Sequence, residues 1–510
     1  MAWNKHEEGR EKIMNLLYQS TRGGEKGLTA SQAILKGLSD DGGLFMPVEI
    51  PVLDIPVEKL AAMTYQETAY EVMKRYFTDF TEEELKGCIS RAYDEKFDTE
   101  EIAVLSKAGG DYFLELYHGS TIAFKDMALS ILPHLMTVSA RKNGVENEIV
   151  ILAATSGDTG KAAMAGFADV PGTRIIVFYP KGGVSRIQEL QMVTQKGENT
   201  AVVAIHGNFD DAQTGVKKIF GDQEFGKRLA EKGYQLSSAN SINIGRLIPQ
   251  VAYYVYAYAK LVGNGELQQE EPLNVTVPTG NFGNILAAYF AREMGIPIGR
   301  LICASNDNKV LYDFFTTGTY DRNRPFILTS SPSMDILVSS NLERLIYLST
   351  GCDGEKTAGL MKELADTGKY TVTDAMRQRM KEFWGGYADE TENEETIRDL
   401  FVKHGYLIDT HTGVAAAVSG KYRKESGDHG KMLIVSTASP YKFSGSVLKA
   451  ITGKAPENGE SEFDVVDELA RVSGMAVPKA VEEIRTAPIR HTAECDVADM
   501  EKQVAGILGC

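Results

Sequence analysis

The feature that most constrains the fold is a regular alternation of apolar and amphipathic segments that begins near Glu148. The pattern predicts strands at residues 149–154, 174–179 and 201–205, followed by helices at 161–168, 185–194 and 210–220. The strands are nearly continuous apolar runs, such as Ile-Val-Ile-Leu-Ala-Ala, as expected when helices cover both faces of a parallel sheet. A second block predicts strands at 273–277, 301–304 and 431–435 and a helix at 285–294. The sequence therefore predicts an α/β fold built from βαβ units.

The two ends of the chain have a different pattern. Acidic helical segments at 57–77 and 81–97 predict a separate N-terminal domain, and the polar segment 453–460 predicts a linker to a helical tail. The apolar stretch 251–262, with Pro249 just upstream, is shorter than the roughly 20 residues that span a bilayer. We expect it to be a buried core helix.

Composition excludes several classes of protein. The chain has 510 residues, enough for roughly three domains. Its formal net charge of −16 argues against binding nucleic acid through a broad basic face. The five cysteines are widely spaced without a CxxC pair, which predicts neither a disulfide framework nor a metal site and favours the cytoplasm. The charged N-terminus lacks the apolar run of a secretory signal, and no membrane association is expected.

Lys125 is the first candidate for chemistry. It lies in the segment 118–126, His-Gly-Ser-Thr-Ile-Ala-Phe-Lys-Asp, with apolar residues on both sides. A lone lysine is usually a surface residue, but apolar surroundings disfavour the cation and free the amine to attack a carbonyl. Asp126 could cap the following helix, and Pro133 must kink that helix or limit its start.

Two glycine-flanked polar loops, 156–160 and 280–284, each follow a predicted strand and precede a helix. Their amides can point at an anion near the positive end of the helix dipole, although each loop alone could be an ordinary turn. The spacing after Gly157 is too short for a nucleotide-binding loop. Together with Lys125, the loops predict a pocket for a phosphorylated aldehyde cofactor. His118 and His411 show no ligand-like spacing and are taken as structural.

Six segments carry a resemblance to a known family: 18–23, 37–44, 118–126, 156–163, 280–284 and 330–344. Together they resemble the threonine synthase family, which comprises pyridoxal-phosphate enzymes of the tryptophan-synthase-β fold type, in the branch with an extended N-terminal domain. The resemblance implies a fold-type II α/β enzyme with two lobes of parallel or mixed sheet flanked by helices, plus a helical N-terminal domain. The implied domains are an N-terminal domain at 1–105, a large cofactor-binding lobe at 106–147 and 250–460, a small lobe at 148–249 and a helical tail at 461–510.

The resemblance also implies roles for individual residues. Lys125 would form the imine with pyridoxal 5'-phosphate, and Thr437 would exchange a hydrogen bond with the pyridine nitrogen. The loop that would hold the cofactor phosphate consists of Gly280, Asn281, Phe282, Gly283 and Asn284. Ser156, Asp158 and Thr159 would lie at the substrate carboxylate and the hydroxyl edge of the cofactor. The candidate ligands of the substrate phosphate are Lys161, Arg186, Asn341, Arg344 and Lys442.

The implied reaction converts O-phospho-L-homoserine and water into L-threonine and phosphate. Two alternatives stay open: a phospho-lyase that releases 2-oxobutyrate from the same substrate, and a catalytically silent protein with this fold. Three positions depart from the family pattern. Ser120 replaces the usual proline, and Ser439 and Tyr441 replace the usual histidine and alanine. The last two lie beside Thr437, where they could alter contacts with the cofactor ring.

Overall fold

The computed structural model describes residues 15–155, 157–457 and 459–510. Its strands are β1 (Tyr18–Ser20), β2 (Lys26–Leu28), β3 (Phe45–Pro47), β4 (Val104–Ala108), β5 (Asp111–Glu115), β6 (Glu148–Ala154), β7 (Thr173–Pro180), β8 (Thr200–His206), β9 (Tyr234–Ser237), β10 (Leu273–Pro278), β11 (Ile298–Ser305), β12 (Thr319–Asp321), β13 (Lys369–Thr371), β14 (Phe383–Tyr387), β15 (Met432–Ser436) and β16 (Ala493–Asp496).

The helices of the described ranges are α1 (Ala30–Lys36), α2 (Val57–Ala61), α3 (Tyr65–Tyr76), α4 (Glu82–Ala92), α5 (Asp126–Leu129), α6 (Leu132–Lys142), α7 (Asp158–Phe167), α8 (Arg186–Val193), α9 (Phe209–Gly221), α10 (Gln223–Glu231), α11 (Ile244–Gly263), α12 (Gly283–Glu293), α13 (Val310–Thr317), α14 (Leu342–Ser349), α15 (Gly354–Thr367), α16 (Asp374–Arg379), α17 (Glu390–His404), α18 (Thr410–Ser426), α19 (Ser444–Thr452), α20 (Glu462–Ser473), α21 (Lys479–Thr486) and α22 (Met500–Leu508).

Two large sheets form the centre of the fold. The larger has the strand order β14-β11-β10-β15-β5-β4 and is parallel except for β4, which pairs antiparallel with β5. The smaller has the order β16-β8-β7-β6-β9 and is parallel throughout. Strands β10 and β15 are buried at every residue, as expected for strands covered on both faces. The predicted α/β fold with parallel and mixed sheets is therefore confirmed.

Helix α11 is the buried core helix that the sequence predicts, but its start differs from the expectation. It begins at Ile244, and Pro249 lies inside the helix instead of upstream of it. A proline is tolerated in this second turn because it removes a single hydrogen bond near the helix start, and tertiary packing outweighs its cost. Across the described ranges, no helix combines the length and the hydropathy that crossing a lipid bilayer requires.

The N-terminal part contains the predicted helices, but in shorter pieces. The expected segments 57–77 and 81–97 become α2, α3 and α4, and Thr64 and Thr81 form capping boxes that start the latter two helices. The structure adds a three-stranded antiparallel sheet, β2-β1-β3, which the sequence did not predict because each strand has only three residues. Helices α2 and α3 pack on α11, which joins this part to the large sheet.

The opening segments of the chain are bonded to helix α14. Arg22 forms a two-pronged ion pair with Glu343, with nitrogen-to-oxygen distances of 2.9 and 2.8 Å. The guanidinium of the fully buried Arg344 donates to the carbonyl of Phe45 at 3.1 and 3.0 Å and to that of Ile242 at 2.6 Å. Arg22 and Phe45 of the N-terminal part thereby hold the start of helix α14 in place.

The tail is not helical throughout, contrary to the prediction for 461–510. Strand β16 pairs parallel with β8 and extends the smaller sheet. Its sequence, Ala-Glu-Cys-Asp, has no apolar run because it lies at a sheet edge with three of four residues exposed. At the other end of the tail, the carboxylate of Glu462 accepts hydrogen bonds from the amides of Arg186 and Ile187 at 2.7 and 2.9 Å. The tail is thus bonded to the smaller sheet and to α8, and the domain boundaries stay a prediction.

Candidate active site

The loop that carries Lys125 is fixed to the end of strand β15. The amide of Phe124 donates to the carbonyl of Thr437 at 2.8 Å, and the amide of Ser439 donates to the carbonyl of Ile122 at 3.0 Å. Thr437 itself is buried. Because parallel strands place ligand sites at their carboxyl ends, this pairing puts Lys125 at the functional edge of the larger sheet.

The Lys125 side chain is only 13% exposed, and its amine faces polar groups. It donates to the hydroxyl of Ser333 at 3.2 Å and lies 3.7 Å from the carboxylate of Asp158. Burial lowers the pKa of Lys125, and the cations of Lys442 and Arg246 lower it further, whereas Asp158 opposes the shift. The amine is therefore more readily deprotonated than that of a surface lysine, as nucleophilic attack requires.

Asp158 opens helix α7 and is paired with the predicted ligand Lys442. The Lys442 amine lies 3.2 Å from the Asp158 carboxylate and donates to the carbonyl of Thr121 at 2.8 Å. Burial would raise the pKa of Asp158, but the charges of Lys442 and Lys125 outweigh it and hold that pKa well below its usual range. Asp158 is thus a buried carboxylate that stays ionised beside the amines of Lys442 and Lys125.

Asp126 does not cap the following helix, which corrects the expectation from sequence. Helix α5 has no side-chain cap, and the Asp126 carboxylate instead accepts from the amide of Thr121 at 2.8 Å and from its hydroxyl at 2.6 Å. These bonds close the loop in front of Lys125. Pro133 lies in the first turn of α6, so it limits the helix start as predicted.

In the loop 280–284, carbonyl groups accept hydrogen bonds from neighbouring residues while the backbone amides stay free among the described residues. The hydroxyl of Ser339 donates to the Gly280 carbonyl at 2.7 Å, and the amide of Asn341 donates to the Asn281 carbonyl at 3.0 Å. Within the described part of the chain, the backbone amides of residues 281–284 donate no hydrogen bond. They lie at the start of helix α12, where free amides and the helix dipole favour an anion.

Asn284 adds a side-chain donor to this cradle. The hydroxyls of Tyr253 and Tyr254 donate to its amide oxygen at 2.7 and 2.5 Å, which fixes the orientation of the amide group. Its buried Nδ2 has no hydrogen-bond partner among the described residues. A buried unpaired donor is costly unless a ligand satisfies it. The amine of Lys125 and these donors therefore fit an aldehyde cofactor that carries a phosphate.

Of the remaining predicted residues, some are buried near the site and others are exposed. Lys161 is buried and donates to Gln195 at 2.6 Å, and burial lowers its pKa to about 8. Asn341 donates to the carbonyl of Asn281 in the loop 280–284, the candidate cofactor loop, and Arg344 donates to backbone carbonyls. Thr159 and Arg186 are exposed, Arg186 pairs with Glu189 on the surface of α8, and Ser156 lies outside the described residues. Their roles stay predictions.

Arg246 is a further candidate residue that the sequence did not indicate. It lies in the first turn of α11, is 5% exposed, and donates from Nη1 to the carbonyl of Ala239 at 2.8 Å. Its Nε has no partner among the described residues, and burial lowers its pKa to about 10. An arginine at the start of an otherwise apolar helix was the signal, and its proximity to Lys125 could be seen only in the folded chain.

His118, taken as structural, lies between two carboxylates. Its ring nitrogens are 2.7 Å from Asp98 and 3.0 Å from Glu115. Burial lowers the pKa of His118, but both carboxylates outweigh burial and raise it to about 9. A group whose pKa is higher in the folded chain stabilises the fold fully below its unfolded value, near 6.5, and this stabilisation is lost as the pH rises through about 9.

We therefore expect the apparent free energy of unfolding to fall by about 2 kcal/mol between pH 6.5 and 9, after allowance for the half-exposed Asp98. The His118→Gln variant should lack this component of the fall. The measurement is urea unfolding across that pH range for both chains, and an equal fall in both would contradict the assignment.

Taken together, the fold and the site define a pyridoxal-phosphate enzyme of fold type II. Residues 101–438 match the family described as pyridoxal-phosphate dependent enzyme, and residues 17–93 match the family described as threonine synthase N terminus. The chain belongs to the threonine synthase family of these enzymes. Family membership confirms the predicted resemblance, the fold class and pyridoxal 5'-phosphate as the cofactor.

Similar proteins support this placement over nearly the whole chain. Threonine synthase from Saccharomyces cerevisiae is 34% identical over 518 residues, which covers 95% of this chain and 99% of that protein. The crystal structure of threonine synthase from Brucella melitensis with bound cofactor has a TM-score of 0.85 and 32% identity, and covers 97% and 100% of the two chains. The human protein named threonine synthase-like 1 is 40% identical over 434 residues, and the match spans 82% of this chain but only 58% of the human protein.

Proposed function

We propose that this chain is a threonine synthase, which converts O-phospho-L-homoserine and water into L-threonine and phosphate. The observation that carries the proposal is the pair of anion-binding features around Lys125. The amides of 281–284 suit the cofactor phosphate, and the buried Arg246, whose Nε has no partner among the described residues, suits a second anion. A substrate with its own phosphate supplies that second anion.

When bound, the cofactor would withdraw electrons from the α carbon of the substrate, which is the carbon that carries the substrate's amino group. The residues of the chain supply the rest of the chemistry. The Lys125 amine, with its lowered pKa, is suited to move protons between the α and β carbons of the substrate. The ionised Asp158 balances the positive charge that the amine gains with each proton.

The substrate phosphate is assigned among the available cations by elimination. Arg344 is engaged with two backbone carbonyls, Lys442 pairs with Asp158, and Arg186 is exposed beside Glu189. Among the described residues, Arg246 has an Nε without a hydrogen-bond partner, and the amine of Lys161 donates to the neutral amide of Gln195. We therefore assign the substrate phosphate to Arg246, with Lys161 as a second ligand. This assignment narrows the five candidates taken from sequence and adds one residue.

The test of the function is product analysis of the cofactor-loaded chain with O-phospho-L-homoserine. Threonine, 2-oxobutyrate and phosphate are measured in the same sample. Threonine and phosphate in equal amounts support the proposal. Phosphate with an equal amount of 2-oxobutyrate would instead identify the phospho-lyase. No turnover despite the cofactor's visible absorption would refute the assigned substrate.

Replacing Arg246 with methionine tests the assignment of the substrate phosphate. A charged hydrogen bond is worth about 1.5–3 kcal/mol, so KM for O-phospho-L-homoserine should rise about 10- to 150-fold. Binding of L-threonine, which has no phosphate, should change by less than about threefold. Arg471→Met, at an exposed arginine paired with Glu468, is the matched control. Equal losses for both ligands would show that Arg246 acts on the site as a whole.

A further inference from the structure

Ser333 is the residue in hydrogen-bond contact with the Lys125 amine. It belongs to a short turn, Pro332–Met334, far from Lys125 in sequence. Its hydroxyl accepts from the Lys125 amine at 3.2 Å and donates to the Asp158 carboxylate at 3.3 Å. Because the hydroxyl hydrogen points to Asp158, which accepts this hydrogen bond, a lone pair of the hydroxyl oxygen faces the amine.

A buried histidine and aspartate lie behind Ser333. The amide of Ser333 donates to Nε2 of His411 at 3.1 Å, and Nδ1 of His411 lies 2.8 Å from the Asp409 carboxylate. His411 is 3% exposed and Asp409 is fully buried. Because Nε2 accepts a hydrogen bond, the ring proton lies on Nδ1, which donates to the Asp409 carboxylate. These two hydrogen bonds fix one tautomer of His411.

The turn that carries Ser333 is also held from the other side. The Asp335 carboxylate accepts from the amide groups of Asn306 at 2.7 Å and Asn308 at 3.0 Å, directly after strand β11. The carbonyl of Ser333 lies against Gly280 of the cofactor loop. Ser333 thus stands between the cofactor loop and Lys125 with little freedom to move.

We propose that Ser333 is a catalytic residue whose hydroxyl supports the protonated Lys125 amine during proton transfer, and that His411 and Asp409 are positioning residues that hold Ser333 there. The action at the substrate's α carbon rests on the proposed function. The proton taken from that carbon resides on the Lys125 nitrogen and is returned to substrate, while Ser333 keeps its own proton and accepts one hydrogen bond. No other reactant is needed.

Removing the hydroxyl has two effects of opposite sign. Without this acceptor the ammonium form of Lys125 is less stable, so more of the amine is free near pH 7. The free amine is also a weaker base and is held by one partner fewer. In a Ser333→Ala chain, Lys125 should therefore react faster with added pyridoxal phosphate. The same chain should exchange the proton at the α carbon of the substrate more slowly.

Both effects are measured on the full-length chain. The first is the first-order rate at which visible absorption appears after saturating pyridoxal phosphate is added to cofactor-free protein at pH 7, and it should rise about fivefold. The second is the rate at which the α proton of L-threonine exchanges with deuterated solvent, read by NMR on the alkaline plateau, and it should fall about fivefold. Loss of both rates, or a change in neither, would overturn the proposal.

Two variants of His411 separate positioning from general damage. Gln places a polar atom at the position of Nε2 and can still accept from the Ser333 amide, whereas Asn reaches only the position of Nδ1. His411→Asn should reproduce both changes of Ser333→Ala, and His411→Gln should stay within about twofold of wild type. Equal behaviour of the two variants would refute the positioning role. If the wild-type chain bonds cofactor but exchanges no α proton, the proposed function fails, while the cofactor-bonding rates still test Ser333.

Discussion

A Lys125→Ala chain is expected to lose the visible absorption of the bound cofactor and at least about a thousandfold in turnover. The reason is that the amine is both the bonding partner of the aldehyde and the proposed carrier of protons. Absorption spectra after reconstitution, together with the product assay, provide the measurement.

The same variant should remain folded. Burial disfavours the charged form of the Lys125 amine, so its removal costs little free energy, and Asp158 keeps the ion pair with Lys442 at 3.2 Å. We expect the unfolding temperature of the cofactor-free chain to stay within about 3 °C of wild type. Lys96→Ala, at a surface lysine paired with Asp94, is the control. Persistent visible absorption in the Lys125 variant would place the bonding lysine elsewhere.

Much of the fold could be predicted because it depends on local patterns. The apolar runs at 149–154, 174–179 and 273–277 became strands β6, β7 and β10, with ends shifted by at most one residue. Burial on both faces leaves a continuous apolar signal in such strands. The missed strand β16 has no such signal, because it is held by pairing with β8 at a sheet edge.

The candidate site was only partly predictable. Lys125 and the loop 280–284 stand out because apolar neighbours and glycines mark them locally. Ser333 and His411 do not, since serine and histidine are common and their contacts join segments separated by 78 and 208 residues. Arg246 became a candidate only when its burial and its unpaired Nε were visible.

The departures from the family pattern at Ser439 and Tyr441 acquire a structural account. Ser439 caps the short turn 440–443 by accepting from the amide of Tyr441 at 3.3 Å. The buried Tyr441 donates its hydroxyl to the carbonyl of Met475 at 2.5 Å, in the segment between α20 and α21. The tyrosine thus bonds the segment that contains Lys442 to the C-terminal tail. The side chain of the usual alanine could not reach this carbonyl.

A Gly280→Ala chain is expected to bind pyridoxal phosphate at least about thirtyfold more weakly than wild type. An added Cβ would lie 2.5 Å from the carbonyl oxygen of Ser333. Because that atom belongs to the backbone, the clash can be relieved only if one of the two backbone segments moves. Either the cofactor loop shifts away from its anion or the turn of Ser333 moves away from Lys125. Gly280 does not have a positive φ, so steric contact alone accounts for the expected effect.

Titration of cofactor-free protein with pyridoxal phosphate, followed by visible absorption, measures this affinity. Gly226→Ala is the matched control, because its Cβ meets no atom within 4 Å and alanine favours the helix α10 in which it lies. The control should bind cofactor as wild type does. Since the Ser333 carbonyl is the atom displaced, Gly280→Ala should also slow α-proton exchange with L-threonine at saturating cofactor. Wild-type affinity in Gly280→Ala would mean that the loop 280–284 does not hold the cofactor phosphate.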